Sequence, residues 1–434
     1  MSLKRKKKYN NFMSKIKHIW AREILDSRGI PTVEAACLLE SGEVSVSSVP
    51  AGASTGTHEA LELRDTQNPR YLGLGVLQAV NNVNTILGPA LVGMDPTDQE
   101  SIDKKLIGLD GTENKTKYGA NAILSISEAV AKCGAMATHQ PLYSWIFALA
   151  TKYNICQSVK IPTPLFNMIN GGRHGAGNLD FQEFWVIPTS SKNFSDGLQI
   201  GVEIYQTIGK NLKHRGAIHS VGDEGGYAPD LFTNADALEV FVESIHQTNY
   251  SLGRDALLGL DLASNSFYKD GEYFIKDHSS AMSDLQLSDY YKSLIEQYKL
   301  AIMEDPFHED AWETWSAFTG QVSQSTIIVG DDLLATNPKR VEKAIREKSC
   351  NSILIKPNQI GTITETLQVI KMAREANWKI VVSHRSGETN DSFIADFGVG
   401  VSADYVKFGA PARGERVAKY NRLSTIEIEL GRIK

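Results

Sequence analysis

Cysteine is scarce in this chain of 434 residues: Cys37, Cys133, Cys156 and Cys350 lie far apart and form no CxxC pair. That spacing argues against a disulfide framework or a zinc site and fits buried thiols in a reducing compartment. Also lacking is any uninterrupted apolar run of about eighteen residues, so no membrane-spanning helix is expected. The basic start (Lys4, Arg5, Lys6, Lys7 and Lys8) leads into YNNFMSKIKHIW, which has no apolar stretch of the kind a signal peptide carries. Residues 1–12 therefore read as a flexible extension, with a basic nucleic-acid-binding arm as the lesser reading, and the expected location is cytoplasmic. Nor is there an excess of positive charge: 45 Lys and Arg against 51 Asp and Glu leave a net charge of −6. Bulk attraction to nucleic acid or to an anionic membrane is not expected.

What is present is ordinary globular sequence, long enough for two or three domains at about 150 residues each. KIKHIWAREIL, TVEAACLLE and EVSVSSVP alternate like strands and are separated by the turn signals DSRGIP and ESGE. They predict a three-stranded meander over 16–50. Residues 58–70 and 76–150 read as helices, which makes the first 150 residues an α+β unit with a boundary near 151–162. Beyond it, short β-rich runs end in a polar or charged residue: LLGLDLAS, LAIMEDPF, TIIVGDDL, SILIKPNQ, KIVVSHRS and ADYVKFGA. After one longer gap they recur about every 25 residues, the length of one strand, one helix and two short loops. The intervening NPKRVEKAIREKS and ITETLQVIKMAREANW carry helical signals, with Pro338 in a first turn and Ile363, Leu367 and Ile370 on one face. Such alternation predicts a parallel α/β barrel or a doubly wound sheet. In a barrel, the six strand-ending residues Asp261, Glu304, Asp331, Lys356, His384 and Lys407 would share the rim where active sites lie.

Three acids on successive strand ends repel one another unless a cation sits among them. Asp261, Glu304 and Asp331 are therefore candidate ligands of a divalent metal, Mg²⁺ or Mn²⁺. Lys356 and Lys407 share that rim, where neighbouring cations and burial would lower a lysine into the range of a usable base. Arg385 and Ser386 supply a forked guanidinium and a hydroxyl suited to phosphate or carboxylate. NGGRHGAG and QEF contribute His174, Gln182 and Glu183, and VGDEGG contributes Asp223 and Glu224. A carboxyl group crowded by others can stay protonated and serve as an acid, a task open to Glu183 and Glu224. PAGASTG at 50–56 lacks the lysine and spacing of a P-loop and reads as a mobile loop that closes on a site. The reaction class that uses this set is proton abstraction beside a carboxylate.

AREILDSRG, GASTGTHEALELRD, QEF, VGDEGG, IMEDPF, GDDL, LIKPNQIGT, VSHRSGET and KFGAPARGER together resemble the enolase family from about residue 16 to the C-terminus. The resemblance implies an α/β chain: a C-terminal variant (β/α)₈ TIM-type barrel over 156–434, capped by an N-terminal α+β domain over 13–155. It implies reversible dehydration of 2-phosphoglycerate to phosphoenolpyruvate with two Mg²⁺ ions per site. By that likeness Asp261, Glu304 and Asp331 hold the first ion. Ser54 ligates a second that arrives with substrate and bridges to its phosphate. Lys356 matches the base at C2, and Glu224, supported by Glu183, the acid at the C3 hydroxyl. Arg385 and Ser386 match phosphate contacts, Lys407 and Gln182 contacts around the carboxylate, and His174 and His384 residues lining the closed site. A homodimer or higher homo-oligomer is implied, with no direct nucleic-acid partner and no membrane span.

The chain departs from the family pattern at Ala51, commonly serine, at Ile30, commonly asparagine, and at Thr425, where an arginine typically pairs across the subunit interface with an acid equivalent to Glu34. Two rival readings remain. Another carboxylate enzyme of the same superfamily would carry a Lys-x-Lys base motif on an early strand, where this chain has Gln182-Glu183-Phe184. A surface or scaffold role, binding plasminogen through Lys434 or joining an RNA-processing assembly, would be additional to catalysis and would place some of the protein at the cell surface.

Overall fold

A computed structural model describes residues 14–52, 58–175, 177, 179–189 and 191–432, except for the side chains of His174 and Arg432. The chain opens as the expected antiparallel meander, β1 (Ile16–Leu25), β2 (Pro31–Leu39) and β3 (Val44–Ser48). Asp26 sets the first turn, because its Oδ1 accepts from the backbone N–H groups of Arg28 (2.8 Å) and Ile30 (3.0 Å). One face of the sheet buries Ile19, Val33, Ala35 and Cys37, while Trp20, Val44 and Val46 stay partly exposed on the other.

Residues 58–69 are not helical, contrary to the expectation for 58–70. Their backbone donors are used elsewhere: Ala60 N–H bonds the carbonyl of Gln359, Leu61 N–H that of Asn114, and Asp65 N–H that of Gly75. The segment is a strap across to the barrel, tied by tertiary hydrogen bonds that helical periodicity does not reveal. Helices follow as α1 (Leu77–Asn82), a π turn (Val83–Leu87), α2 (Gly88–Leu91), α3 (Gln99–Asp110), α4 (Ala120–Ala137) and α5 (Leu142–Lys152). The small residues of α4 let it be buried almost all round, between β2, β3 and the second half of the molecule.

That second half is a closed barrel of β4 (Thr163–Asn170), β5 (Glu183–Pro188), β6 (Ala256–Asp261), β9 (Leu300–Glu304), β10 (Ile327–Gly330), β11 (Ser352–Ile355), β12 (Lys379–Ser383) and β13 (Tyr405–Lys407). A small hairpin, β7 (Tyr268–Lys269) with β8 (Glu272–Tyr273), stands outside it. The helices α6 (Phe194–His214), α7 (Asn234–His246), α8 (Asp284–Tyr298), α9 (Trp312–Val322), α10 (Pro338–Glu347), α11 (Ile363–Glu375), α12 (Phe393–Gly400) and α13 (Gly414–Arg432) complete it. Closure decides between the two parallel architectures that the repeat allowed, and one strand departs from both: β5 runs antiparallel to β4 and β6. Among the described residues the connection between β4 and β5 holds a 3₁₀ turn, Gly172–His174, and no crossover helix, and the chain returns alongside itself. Leu165, Trp185, Ile187, Ile302, Val329, Leu354 and Val381 fill the barrel interior. Each such buried side chain contributes roughly 1.5–3 kcal/mol.

The two halves interlock through helix capping. Asp103 on α3 accepts from the Thr364 N–H (2.9 Å) and hydroxyl (2.7 Å), and Ser127 Oγ on α4 accepts from the Ile363 N–H (3.1 Å). Donors of the first turn of α11, which have no intrahelical partner, are thus satisfied by side chains of the other half.

Candidate active site

Reversal of β5 is what assembles the rim. Five parallel strands deliver their residues at their C-terminal ends, Asp261 and Glu304 inside β6 and β9 and Asp331, Lys356 and His384 just past β10, β11 and β12. β5 starts at that rim, so Gln182 and Glu183 arrive there from its N-terminal end. The register confirms the row, with Asn170 opposite Glu183, Glu183 opposite Asp261, and Asp261 opposite Glu304. One cleft collects Gln182, Glu183, Glu224, Asp261, Asp331, Lys356, His384, Arg385, Ser386 and Lys407. Glu304 lies under it, fully buried.

Lys407, at the end of β13, is the hub. Its Nζ lies 2.8 Å from Asp261 Oδ2, 2.8 Å from Glu304 Oε1 and 2.9 Å from Glu183 Oε1, and 5.0 Å from the centre of the Trp185 ring. Burial alone would discharge this ammonium, but the three carboxylates outweigh it and hold its pKa well above the usual lysine value. Burial raises Asp261, with Lys407 opposing and Glu183 adding. It raises Glu304 well above the carboxylate range, helped by Asp261, and Glu304 Oε2 has no partner among the described residues.

Lys356 Nζ lies 2.5 Å from Asp331 Oδ2, while Gln359 Nε2 donates to Asp331 Oδ1 at 3.2 Å. Burial pushes Asp331 up, but Lys356 and Lys407 prevail and hold it below its usual value. For the same reason the expected lowering of Lys356 is not found: burial pulls it down, but Asp331 prevails and raises it. Asp305 supports the loop after β10. Its backbone adopts φ +45, a left-handed conformation costing about 1 kcal/mol. In that pose its two oxygens accept from the Asp331 (2.9 Å) and Asp332 (2.7 Å) N–H groups. Burial, with Asp331 adjacent, pushes Asp332 up to about 7.

On the far side, Arg385 forks onto Glu59, with Nη1 2.9 Å from Oε2 and Nη2 3.3 Å from Oε1, and donates to Asn358 Oδ1 at 3.1 Å. Ser386 is buried beside it. Glu183 Oε2 accepts from the Trp185 indole at 2.8 Å, and burial next to Glu224 raises Glu183 to about 7. Glu224 Oε2 accepts from Asn167 Nδ2 at 3.1 Å, and its Oε1 faces His384 Nε2 at 3.6 Å. His384 is held neutral, its pKa well below the usual value through burial and the nearby Arg416 charge. Gly409 permits this packing: at φ +82, an added Cβ would lie 2.7 Å from the Glu224 carbonyl and 3.0 Å from His384 Cε1.

Ser54 and the His174 side chain lie outside the described residues, as does Lys434. The geometry adds residues to which no role was assigned from sequence: Glu59, Asn167, Asp305, Asp332 and Arg416. Glu59 and Arg416 stand inside the recognised stretches GASTGTHEALELRD and KFGAPARGER, but nothing in those stretches says which site residue each touches.

Carboxylate oxygens of Asp305, Asp331 and Asp332 come within 4.8 Å of one another, as do ligand atoms of Glu183, Glu224 and His384. Asp261, Glu304 and Asp331 do not form such a set, because Lys407 holds the first two and Lys356 the third. The donor chemistry still fits a hard divalent cation: the ligands are all oxygen, they are buried and mutually repelling, and Glu304 Oε2 is unsatisfied.

Comparison with known families gives two matches. The family described as "Enolase, N-terminal domain" matches residues 16–146, and the one described as "Enolase, C-terminal TIM barrel domain" matches residues 158–434.

Proposed function

The chain belongs to the enolase family, and from that premise we propose that it is a lyase of glycolysis and gluconeogenesis, interconverting 2-phosphoglycerate and phosphoenolpyruvate with loss or gain of water. The observation that carries the reading is the meeting, on one rim, of a lysine, a buried carboxyl pair with one member near neutrality, an arginine-serine anion site and a carboxylate nest. Asp261, Glu304 and Asp331 would hold Mg²⁺, with Ser54 serving a second ion. A metal held there would supply positive charge to offset the substrate carboxylate and the charge that develops on it.

Released from its ion pair with Asp331 and in its neutral form, Lys356 takes the proton from C2, leaving its electron pair delocalised into the substrate carboxylate. The C3–O bond then breaks, the pair forms the C2=C3 bond, and a proton from Glu224 converts the departing hydroxide to water. Glu183 at about 7 shares the burden of holding that proton in a buried carboxyl cluster. Arg385 and Ser386 bind the phosphate, and Gln182, Lys407 and His384 orient the remainder; His174 joins them on the family likeness alone. Such preorganised charge is what a weakly acidic carbon requires.

A cytoplasmic location is part of this proposal, resting on the enolase-family reading. Among the described residues no helix is long and apolar enough to cross a membrane. Self-association is proposed through the outer face of the first sheet, where Trp20, Val44 and Val46 lie exposed. Within its own chain Glu34 accepts from Arg22 (2.6 Å) and Ser48 (3.0 Å), and Thr425 Oγ1 donates to the Asn421 carbonyl of its own helix.

Supplying 2-phosphoglycerate and Mg²⁺ should give a rising ultraviolet absorbance from the enol ester formed. A folded protein that shows no metal-dependent signal would overturn the proposal.

A further inference from the structure

Arg416, in the first turn of α13, is fully buried behind the cleft residues His384, Arg385 and Ser386. Its Nη1 lies 2.7 Å from His384 Nδ1 and 2.6 Å from the Arg385 carbonyl; its Nη2 lies 2.5 Å from the Ser386 carbonyl and 3.1 Å from the Asp223 carbonyl. One guanidinium therefore ties the loop carrying Glu224 to the loop carrying His384, Arg385 and Ser386. Lysine, a compact point charge, could not span these four acceptors in a plane.

We propose that Arg416 is a positioning residue for the elimination step, holding His384 in the tautomer whose Nε2–H is aimed at Glu224. This rests on the reading of Glu224 as the acid, which Arg416 reaches through His384 and the Asp223 carbonyl. A guanidinium only donates, so His384 Nδ1 must accept, and the single hydrogen of a neutral imidazole then resides on Nε2. Burial and the Arg416 charge both disfavour imidazolium, in agreement with a neutral ring. Nε2 has no hydrogen-bond partner within normal distance among the described residues and stands 3.6 Å from Glu224 Oε1. Asn167 holds the other oxygen, Oε2, at 3.1 Å. The two carboxylate oxygens are thereby made unequal: Asn167 anchors one, and the other faces a donor just beyond contact. A small closure of the cleft brings Nε2–H onto Oε1 or onto the departing oxygen beside it, and a protonated Nδ1 would remove that donor.

The test begins with ¹⁵N-histidine NMR of the unliganded wild-type protein, assigned by difference from His384→Gln. The expected result is a lone-pair Nδ1 and a protonated Nε2 between pH 6 and 8; a protonated Nδ1 overturns the proposal. In Arg416→Met, shown to be folded by circular dichroism, phosphoenolpyruvate formation should fall about 100-fold in kcat, with KM and C2 deuterium exchange within about threefold. Arg416→Lys should recover part of the loss. Equal loss of exchange and elimination would mark Arg416 as merely structural and also overturn the proposal. Should Arg416→Met not fold, the wild-type tautomer decides. A wild-type protein with the expected tautomer but no turnover of 2-phosphoglycerate would refute the proposed reaction instead.

Discussion

Replacing Glu128 by glutamine tests the electrostatics of the interface between the two halves. Glu128 lies on α4, 4% exposed, and its Oε2 accepts from Ser47 Oγ at 2.8 Å. Ser47 also donates to Asp391 Oδ2 at 3.1 Å, so the two carboxyl groups share one hydroxyl. Asp391 has the better place: Lys132 lies 2.6 Å away, and the N–H groups of Ser48 and Phe393 bond it at 3.0 and 2.9 Å. Burial raises Asp391, but these partners hold it below its usual value, whereas burial and the Asp391 charge push Glu128 up to about 8. Between its ordinary 4.5 and about 8, folded Glu128 keeps a proton that the unfolded chain releases. The folded state then binds more protons, so stability is fully present below 4.5 and declines as pH rises towards 8. At 1.36 kcal/mol per unit the ceiling is roughly 5 kcal/mol, a large share of a domain's total of about 5–15 kcal/mol. Glutamine keeps the size and the Ser47 hydrogen bond but cannot ionise. Urea unfolding of both proteins at pH 5, 6, 7, 8 and 9 should show the variant gaining steadily, by roughly 2–5 kcal/mol at the top of the range. A difference that does not change with pH would refute the reasoning.

Three further outcomes are expected. Millimolar Mg²⁺ should raise the melting temperature of the wild type, and Glu304→Gln, which removes the buried oxygen that lacks a partner, should abolish most of that rise; an undiminished shift in scanning fluorimetry would remove Glu304 from the ligand set. Asp103→Ala should cost roughly 2–4 kcal/mol and speed hydrogen exchange at the Thr364 amide, since four donors lose their acceptor; unchanged exchange would show that the capping contact carries little. Val46→Glu places charge on the exposed sheet face and should shift a self-associated wild type towards monomer in sedimentation, whereas an unaltered distribution would move the interface elsewhere.

The strands near the N-terminus and the strand-helix rhythm of the barrel were legible because both rest on local periodicity, as β1 to β3 and the runs ending at Asp261, Glu304 and Asp331 illustrate. Residues 58–69 escape the helical periodicity because their hydrogen-bond partners, the carbonyls of Gln359 and Asn114 among them, are distant in sequence. Glu59 shows the same limit in the site: it stood within a recognised stretch, yet its bond to Arg385 spans the two halves of the molecule.

By itself the sequence determined which chemical groups the rim would hold, since a strand-ending acid or lysine declares its type and its approximate place. Only the tertiary structure decided their mutual state. The reversal of β5 set Glu183 opposite Asp261, and Lys407 then drew Asp261, Glu304 and Glu183 to itself while Lys356 took Asp331. Buried charges interact strongly at short range, so their protonation depends on neighbours that chain order does not reveal. For that reason Lys356 appears in the sequence as a candidate base and in the fold as half of an ion pair.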